Sequence, residues 1–149
     1  MKRVLAILGG VAAASLAGCG GGNSTGPNVP IVQCVLPTGT QAALAYPAPS
    51  ATGVSDSPGQ VVVAASPALP SNWQVVLAYG GVFAYESVLN PISQSSVPTP
   101  YATPTFANPT YESSGLSGPL PSGATITVLL NNESSSCNGY LQLGTFTTQ

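Results

Sequence analysis

Beyond Pro30, no run of helical length carries apolar residues at helical spacing without a Pro or a Gly inside it. Pro lacks a backbone N–H and clashes with the preceding turn, and Gly gives up the most chain entropy on ordering, so helices are disfavoured throughout. What recurs instead are short runs rich in Val, Ile, Leu and Tyr, bounded by Pro, Gly, Ser and Asn. Such runs read as strands. The pattern predicts strands over 31–36, 41–46, 60–65, 73–79, 82–88, 105–113, 124–130 and 140–147. Gly80-Gly81 joins two of them as a tight hairpin, because Gly accepts the positive φ angles of such turns. The stretch 90–118, with Pro91, Pro98, Pro100, Pro104 and Pro109, is expected to run as extended coil or edge strand, since Pro cannot donate to an interior ladder. With 44% hydrophobic residues against 17 Gly and 15 Pro, the composition is that of one modest folded domain. The expected fold class is all-β, a two-sheet β-sandwich.

Charge is the second constraint. The chain holds two cations, Lys2 and Arg3, four acids, Asp56, Glu86, Glu112 and Glu133, and no histidine. Average domains carry about a quarter charged residues. Without Lys or Arg in the body there is nothing to grip phosphate, so nucleic acid is not an expected partner. Ser and Cys nucleophiles lack a His or Lys base, Schiff-base chemistry lacks its Lys, and zinc lacks His or a Cys cluster. No cofactor, metal or catalytic residue is expected, and the chain reads as a non-enzyme. If all four carboxylates are exposed, stability should be nearly independent of pH and salt.

Both cations serve the N-terminus. Lys2 and Arg3 precede an apolar stretch from Val4 to Leu16 that is short for a membrane span, the pattern of an export signal. It ends in Leu16-Ala17-Gly18-Cys19, which resembles the bacterial lipobox. The resemblance implies a signal peptide over 1–18, cleavage after Gly18, and diacylglycerol on Cys19, which makes membrane lipid the first partner. Two or more acyl chains hold a protein stably where one does not. The other readings are an ordinary signal peptide with an incidental cysteine, or a short membrane anchor. Gly20, where some lipoproteins have aspartate, is similar to those sent to the outer membrane. The expected location is extracytoplasmic, lipid-anchored to the bacterial cell membrane or outer membrane. Residues 19–30, beginning Cys19-Gly-Gly-Gly-Asn-Ser-Thr-Gly-Pro, form a flexible tether by composition. The remaining cysteines, Cys34 and Cys137, then lie in an oxidising compartment, where an even pair reads as a disulfide. Closing a loop of this length stabilises by roughly 4 to 5 kcal/mol in the chain-entropy model. Two free thiols or a redox pair are the alternative, without a CxxC unit to favour them.

The segment from Tyr46 to Val63, with Pro49-Ser50-Ala51-Thr52-Gly53-Val54, a polar turn and a β-branched strand, resembles the opening of bacterial Ig-like domains of the S-layer type. Leu120-Pro-Ser-Gly-Ala-Thr-Ile-Thr-Val-Leu-Leu and Gly144-Thr-Phe-Thr-Thr are similar to their closing strands, a pattern shared with fibronectin type III modules. The match frames about 45–149 within a domain expected over 31–149, and implies an Ig-like two-sheet sandwich used for display or binding. Two positions depart from it: Ile126 stands where the family has its corner tyrosine, and Ser50 where Gly is usual.

The resemblance makes a structural, adhesion or binding module of the cell envelope the leading expectation, with an envelope protein or glycan as partner. The second is a neutral carbohydrate-binding module. Its candidate residues are Tyr101, Phe106 and Tyr111 in the Pro-rich middle, which as a shared exposed face would stack on sugars. The alternative is that these rings cover the edges of the core. Trp73 falls where Ig sandwiches bury a tryptophan. The acids, far apart in sequence, lack the convergence that a hydrolase or a calcium site requires.

Overall fold

The computed structural model describes residues 34–132 and 139–149. Eight strands follow in chain order: β1 (Gln41–Tyr46), β2 (Gln60–Ser66), β3 (Trp73–Tyr79), β4 (Val82–Val88), β5 (Asn90–Ile92), β6 (Thr110–Gly115), β7 (Thr125–Asn132) and β8 (Tyr140–Thr147), with one 3-10 turn at Gln94–Ser96. They form two four-stranded sheets in the orders β1-β2-β6-β5 and β4-β3-β7-β8, with every neighbouring pair antiparallel. This is the all-β sandwich expected, in an order compatible with the Ig-like arrangement.

The central strands explain the two-layer core. β2 reads Val61-Val-Val-Ala-Ala65 and has no polar alternation, so as a strand it turns apolar side chains to both faces. Val61, Val63 and Ala65 face the second sheet and pack with Leu44, Trp73, Val75, Leu77, Ile126, Val128, Leu130 and Phe146. Trp73 is 1% exposed, in the core as the sequence placed it. Val62 and Ala64 point outward and are also buried, in a separate cluster beneath the Pro-rich connection. β3 behaves likewise: Val76 and Ala78 on its outer side pack with Leu129 and Tyr140.

Four predicted strands, 41–46, 73–79, 82–88 and 140–147, coincide with β1, β3, β4 and β8. Gly80 and Gly81 both take positive φ, 57° and 83°, as the hairpin requires. Two expectations are corrected. The strand over 31–36 does not appear at 34–36, where the Cys34 N–H donates to the Tyr140 carbonyl of β8 at 3.3 Å without a ladder; 31–33 lie outside the described residues. The strand over 105–113 begins only at Thr110, because Asn108 takes a left-handed φ of 50° and Pro109 has no N–H to pair. The Pro-rich segment enters the first sheet as the three-residue edge strand β5, with Pro91 opposite Glu112.

Ser50, at the position where the Ig-like resemblance has Gly, takes φ 63° and donates its N–H to the Thr145 carbonyl. A left-handed residue with a Cβ costs roughly 1–2 kcal/mol, and Gly surrenders about 0.5–1 kcal/mol of that relief in chain entropy. Ser50→Gly should therefore raise stability by about 0.5–1 kcal/mol, measured as a higher denaturant midpoint at unchanged slope.

Candidate functional site

The outer face of the first sheet departs most from a bare sandwich. Residues 93–109 leave β5, make the 3-10 turn and cross this face before entering β6. Val97 is driven into it and is buried with Ala45, Val62, Ala64 and Tyr111. Ala102 donates its N–H to the Ala45 carbonyl on the edge of β1 at 2.9 Å, which ties the connection down along that strand. An apolar outer face and an apolar connection bury one another, so a third layer covers the first sheet.

The aromatic candidates divide by position. Tyr111 lies on β6 opposite Ala64 and is 4% exposed, part of the covered layer and no open platform. Its hydroxyl has no hydrogen-bond partner among the described residues, and burial, with Tyr101 close by, pushes its pKa up. Tyr101 meets it edge to face at 6.2 Å between ring centres and is half-buried. Its hydroxyl accepts from Gln94 Nε2 at 3.1 Å. Together with Ser93, Gln94, Ser95, Val97 and Thr99 it lines a shallow depression of about 600 Å³. Phe106, also half-buried, packs into the same layer but opens on a different hollow of about 430 Å³, beside Ala42, Ala43, Leu141 and Leu143. The structure thus brings Tyr101 and Tyr111 together and sets Phe106 apart; the three do not make one face.

Around Tyr101 the chemistry is hydroxyl, amide and ring. Ser93 Oγ lies 2.9 Å from Ser95 Oγ and 2.8 Å from Ser96 Oγ, and Gln60 Nε2 donates to the Ser96 carbonyl at 3.5 Å. Neutral donors and acceptors beside a half-exposed ring suit a neutral polyol.

The acids are dispersed. Asp56 is exposed at the end of the sandwich where its carbonyl accepts the Leu120 N–H at 2.6 Å. Glu86 is exposed on β4 and accepts from Asn131 Nδ2 at 3.2 Å. Glu112 corrects the expectation of exposure: it lies on β6 directly opposite Val63, so strand alternation turns it toward the core side when Tyr111 turns outward. It is buried, and its Oε1 accepts the Leu69 N–H at 2.9 Å. Burial raises its pKa, and the Leu69 N–H offsets part of that rise. Glu133, Cys19 and Cys137 lie outside the described residues. Cys34 is buried, and its Sγ lies 2.8 Å from the Gly139 carbonyl oxygen, two residues along the chain from Cys137.

Sequence reasoning missed one aromatic pair. Phe83 of β4 stacks on Tyr140 of β8 at 4.5 Å, over the outer side of the second sheet. No spacing in the chain signals it, because the two strands sit at opposite edges of that sheet. Comparison with protein-family models, with curated proteins and with solved structures finds no match to the chain.

Proposed function

We propose that the chain is a lipid-anchored, non-enzymatic module of the bacterial cell envelope, an Ig-like domain displayed outside the cytoplasm for structural, adhesive or binding purposes. The observation that carries this reading is Leu16-Ala17-Gly18-Cys19 at the end of an apolar stretch behind Lys2 and Arg3, followed by a Gly-rich tether and then a β-sandwich. Membrane lipid is the first partner, through acylated Cys19, at the cell membrane or the outer membrane. With no Lys, Arg or His after Arg3, the domain has no cationic side chain with which to grip polyanions.

The same reading places Cys34 and Cys137 in an oxidising compartment as a disulfide. The closeness of Cys34 to Gly139 supports that pairing. One measurement tests both. Mass spectrometry of native material should show a chain beginning at Cys19 with the mass of its acyl groups, and a Cys34–Cys137 cross-linked peptide before reduction. Cys19→Ala should move the protein out of the detergent-soluble membrane fraction. A native chain retaining Met1 and partitioning unchanged in Cys19→Ala would defeat the anchor.

A second reading is favoured by the depression at Tyr101: a neutral carbohydrate-binding surface, with the ring as stacking face and Gln94, Ser93 and Thr99 as polar partners. On a glycan array, specific binding lost in Tyr101→Ala at unchanged stability would support it, and no glycan retained above background would leave the first reading alone.

A further inference from the structure

Sheet edges offer unpaired N–H and C=O groups to any extended strand, and folded proteins normally block them. Three of the four edges here are blocked. β5 is three residues long and contains Pro91. β1 receives the Ala102 N–H at Ala45. Along β8, Cys34 donates to Tyr140, Ser50 to Thr145 and Val54 to Thr147. The fourth edge, β4, runs seven residues, and no backbone hydrogen bond from a described residue outside the sheet reaches it. It has no Lys or Pro. It carries Val82, Phe83 and Val88, which are 57%, 46% and 50% exposed. Its one charge is drawn back: Asn131 on β7, two strands inward, holds the Glu86 carboxylate at 3.2 Å, over the sheet and away from the rim.

We infer that β4 is a self-association edge, pairing antiparallel with β4 of a second copy about a twofold axis. The occupant follows from the row itself. A bulge at Ala84 interrupts the first half of β4, where Leu77 pairs with Tyr85 and Ala78 with Phe83, and leaves Tyr85–Val88 regular. In an antiparallel dimer whose outer faces stay on one side, the twofold passes through a residue. Centred on Glu86 it would set like charges opposite each other; centred on Ser87 it sets Glu86 of each copy against Val88 of the other. The Ser87 register has no like-charge pair and covers an exposed valine in each copy. A second copy brings the regular row Tyr85–Val88 with an exposed valine to meet each Glu86, so in this register the edge is complementary to itself. The product is a continuous eight-stranded sheet, β8-β7-β3-β4 followed by its symmetric mate. The pairing does not depend on how the chain is anchored.

The test uses the full chain in neutral detergent, with micelles in excess over protein. Sedimentation should show a concentration-dependent monomer–dimer equilibrium. Val88→Glu, which places a carboxylate against Glu86 of the other copy, should weaken the dimer about tenfold or more, and Val88→Lys, which places an ammonium there, should leave it intact or tighter at low salt. Because Val88 is half exposed, thermal melting of the monomer should move little in either variant. As a check independent of charge, Ser87→Cys puts two thiols across the axis at strand-pair separations within disulfide range, so the variant should form a chain-to-chain disulfide through the introduced thiol on oxidation, with the unaltered chain as control. A monomer at every concentration, a dimer indifferent to both Val88 variants, no cross-link in Ser87→Cys, or an adduct of its new thiol with some other protein would each overturn the proposal.

Discussion

Tyr111→Ala should destabilise the domain by about 3–5 kcal/mol, the cost of removing a large buried aromatic from a packed layer. The ring is 4% exposed and shares its cluster with Ala45, Val62, Ala64 and Val97, with Tyr101 and Phe106 against it. Removing it opens a cavity between the first sheet and the connection 93–109, so that connection should also become the first site of limited proteolysis. Tyr111→Phe separates packing from polarity. The hydroxyl is buried with no partner among the described residues, so its loss removes an unsatisfied group and should leave stability equal or higher. Tyr101→Ala, at a half-buried ring, should cost clearly less than Tyr111→Ala. Denaturant unfolding of the three variants decides the matter. A loss below about 1 kcal/mol for Tyr111→Ala would mean that the third layer is not packed as described. The contrast matters for the proposed sugar surface as well, because Tyr101 would then be separable from the packing that Tyr111 provides.

The second large effect concerns pH. Glu112 is buried, and desolvation raises its pKa above the ordinary glutamate value, with the Leu69 N–H opposing. Below that ordinary value the carboxyl is protonated in folded and unfolded chains alike, and its contribution is fully present. As pH rises the unfolded chain ionises first and the folded chain resists, so stability falls until pH passes the raised folded value, then levels off. The domain should thus melt higher in mildly acidic buffer than at neutral pH. This reverses the flat profile that exposed acids would give, and it opposes the usual acid sensitivity of salt-bridged proteins. Glu112→Gln keeps an acceptor for Leu69 without a charge, so it should raise neutral stability and flatten the profile. Glu112→Ala leaves that N–H without its acceptor and should be about 1–3 kcal/mol less stable than Glu112→Gln. Thermal melts of the three chains from mildly acidic to neutral buffer check the sign; a wild-type midpoint that climbs toward neutral pH would contradict the burial of this carboxylate.

Both effects arise from one register. β6 pairs Glu112 with Val63 and Tyr111 with Ala64, which sends the acid to the core side and the ring to the outer face. A shift of one residue would exchange them. The strand itself was legible in the sequence only in part, since the composition starts it at Thr105 and the structure at Thr110, and no local feature stated which of its faces was inner. The aromatic candidates suffered the same ambiguity. Tyr101, Phe106 and Tyr111 are dotted along a Pro-rich stretch whose composition says extended chain, yet whether that chain lies on the sheet or stands away from it depends on contacts with residues tens of positions distant.

The sequence by itself determined the all-β class, the run boundaries of β1, β3, β4 and β8 and the Gly80-Gly81 hairpin, because strand propensity, turn chemistry and the lack of helical periodicity act over a few neighbouring residues. It also determined the near absence of cations, which no folding can alter. The tertiary structure decided the rest: that the outer face of the first sheet is roofed by 93–109, that Glu112 is taken out of water, that Phe83 and Tyr140 stack across a sheet, and that among the described residues no backbone hydrogen bond from outside the sheet reaches the β4 edge. Each of these depends on which strands become neighbours and in what register, and that choice is made by burial summed over distant segments, where no short stretch of chain carries the information.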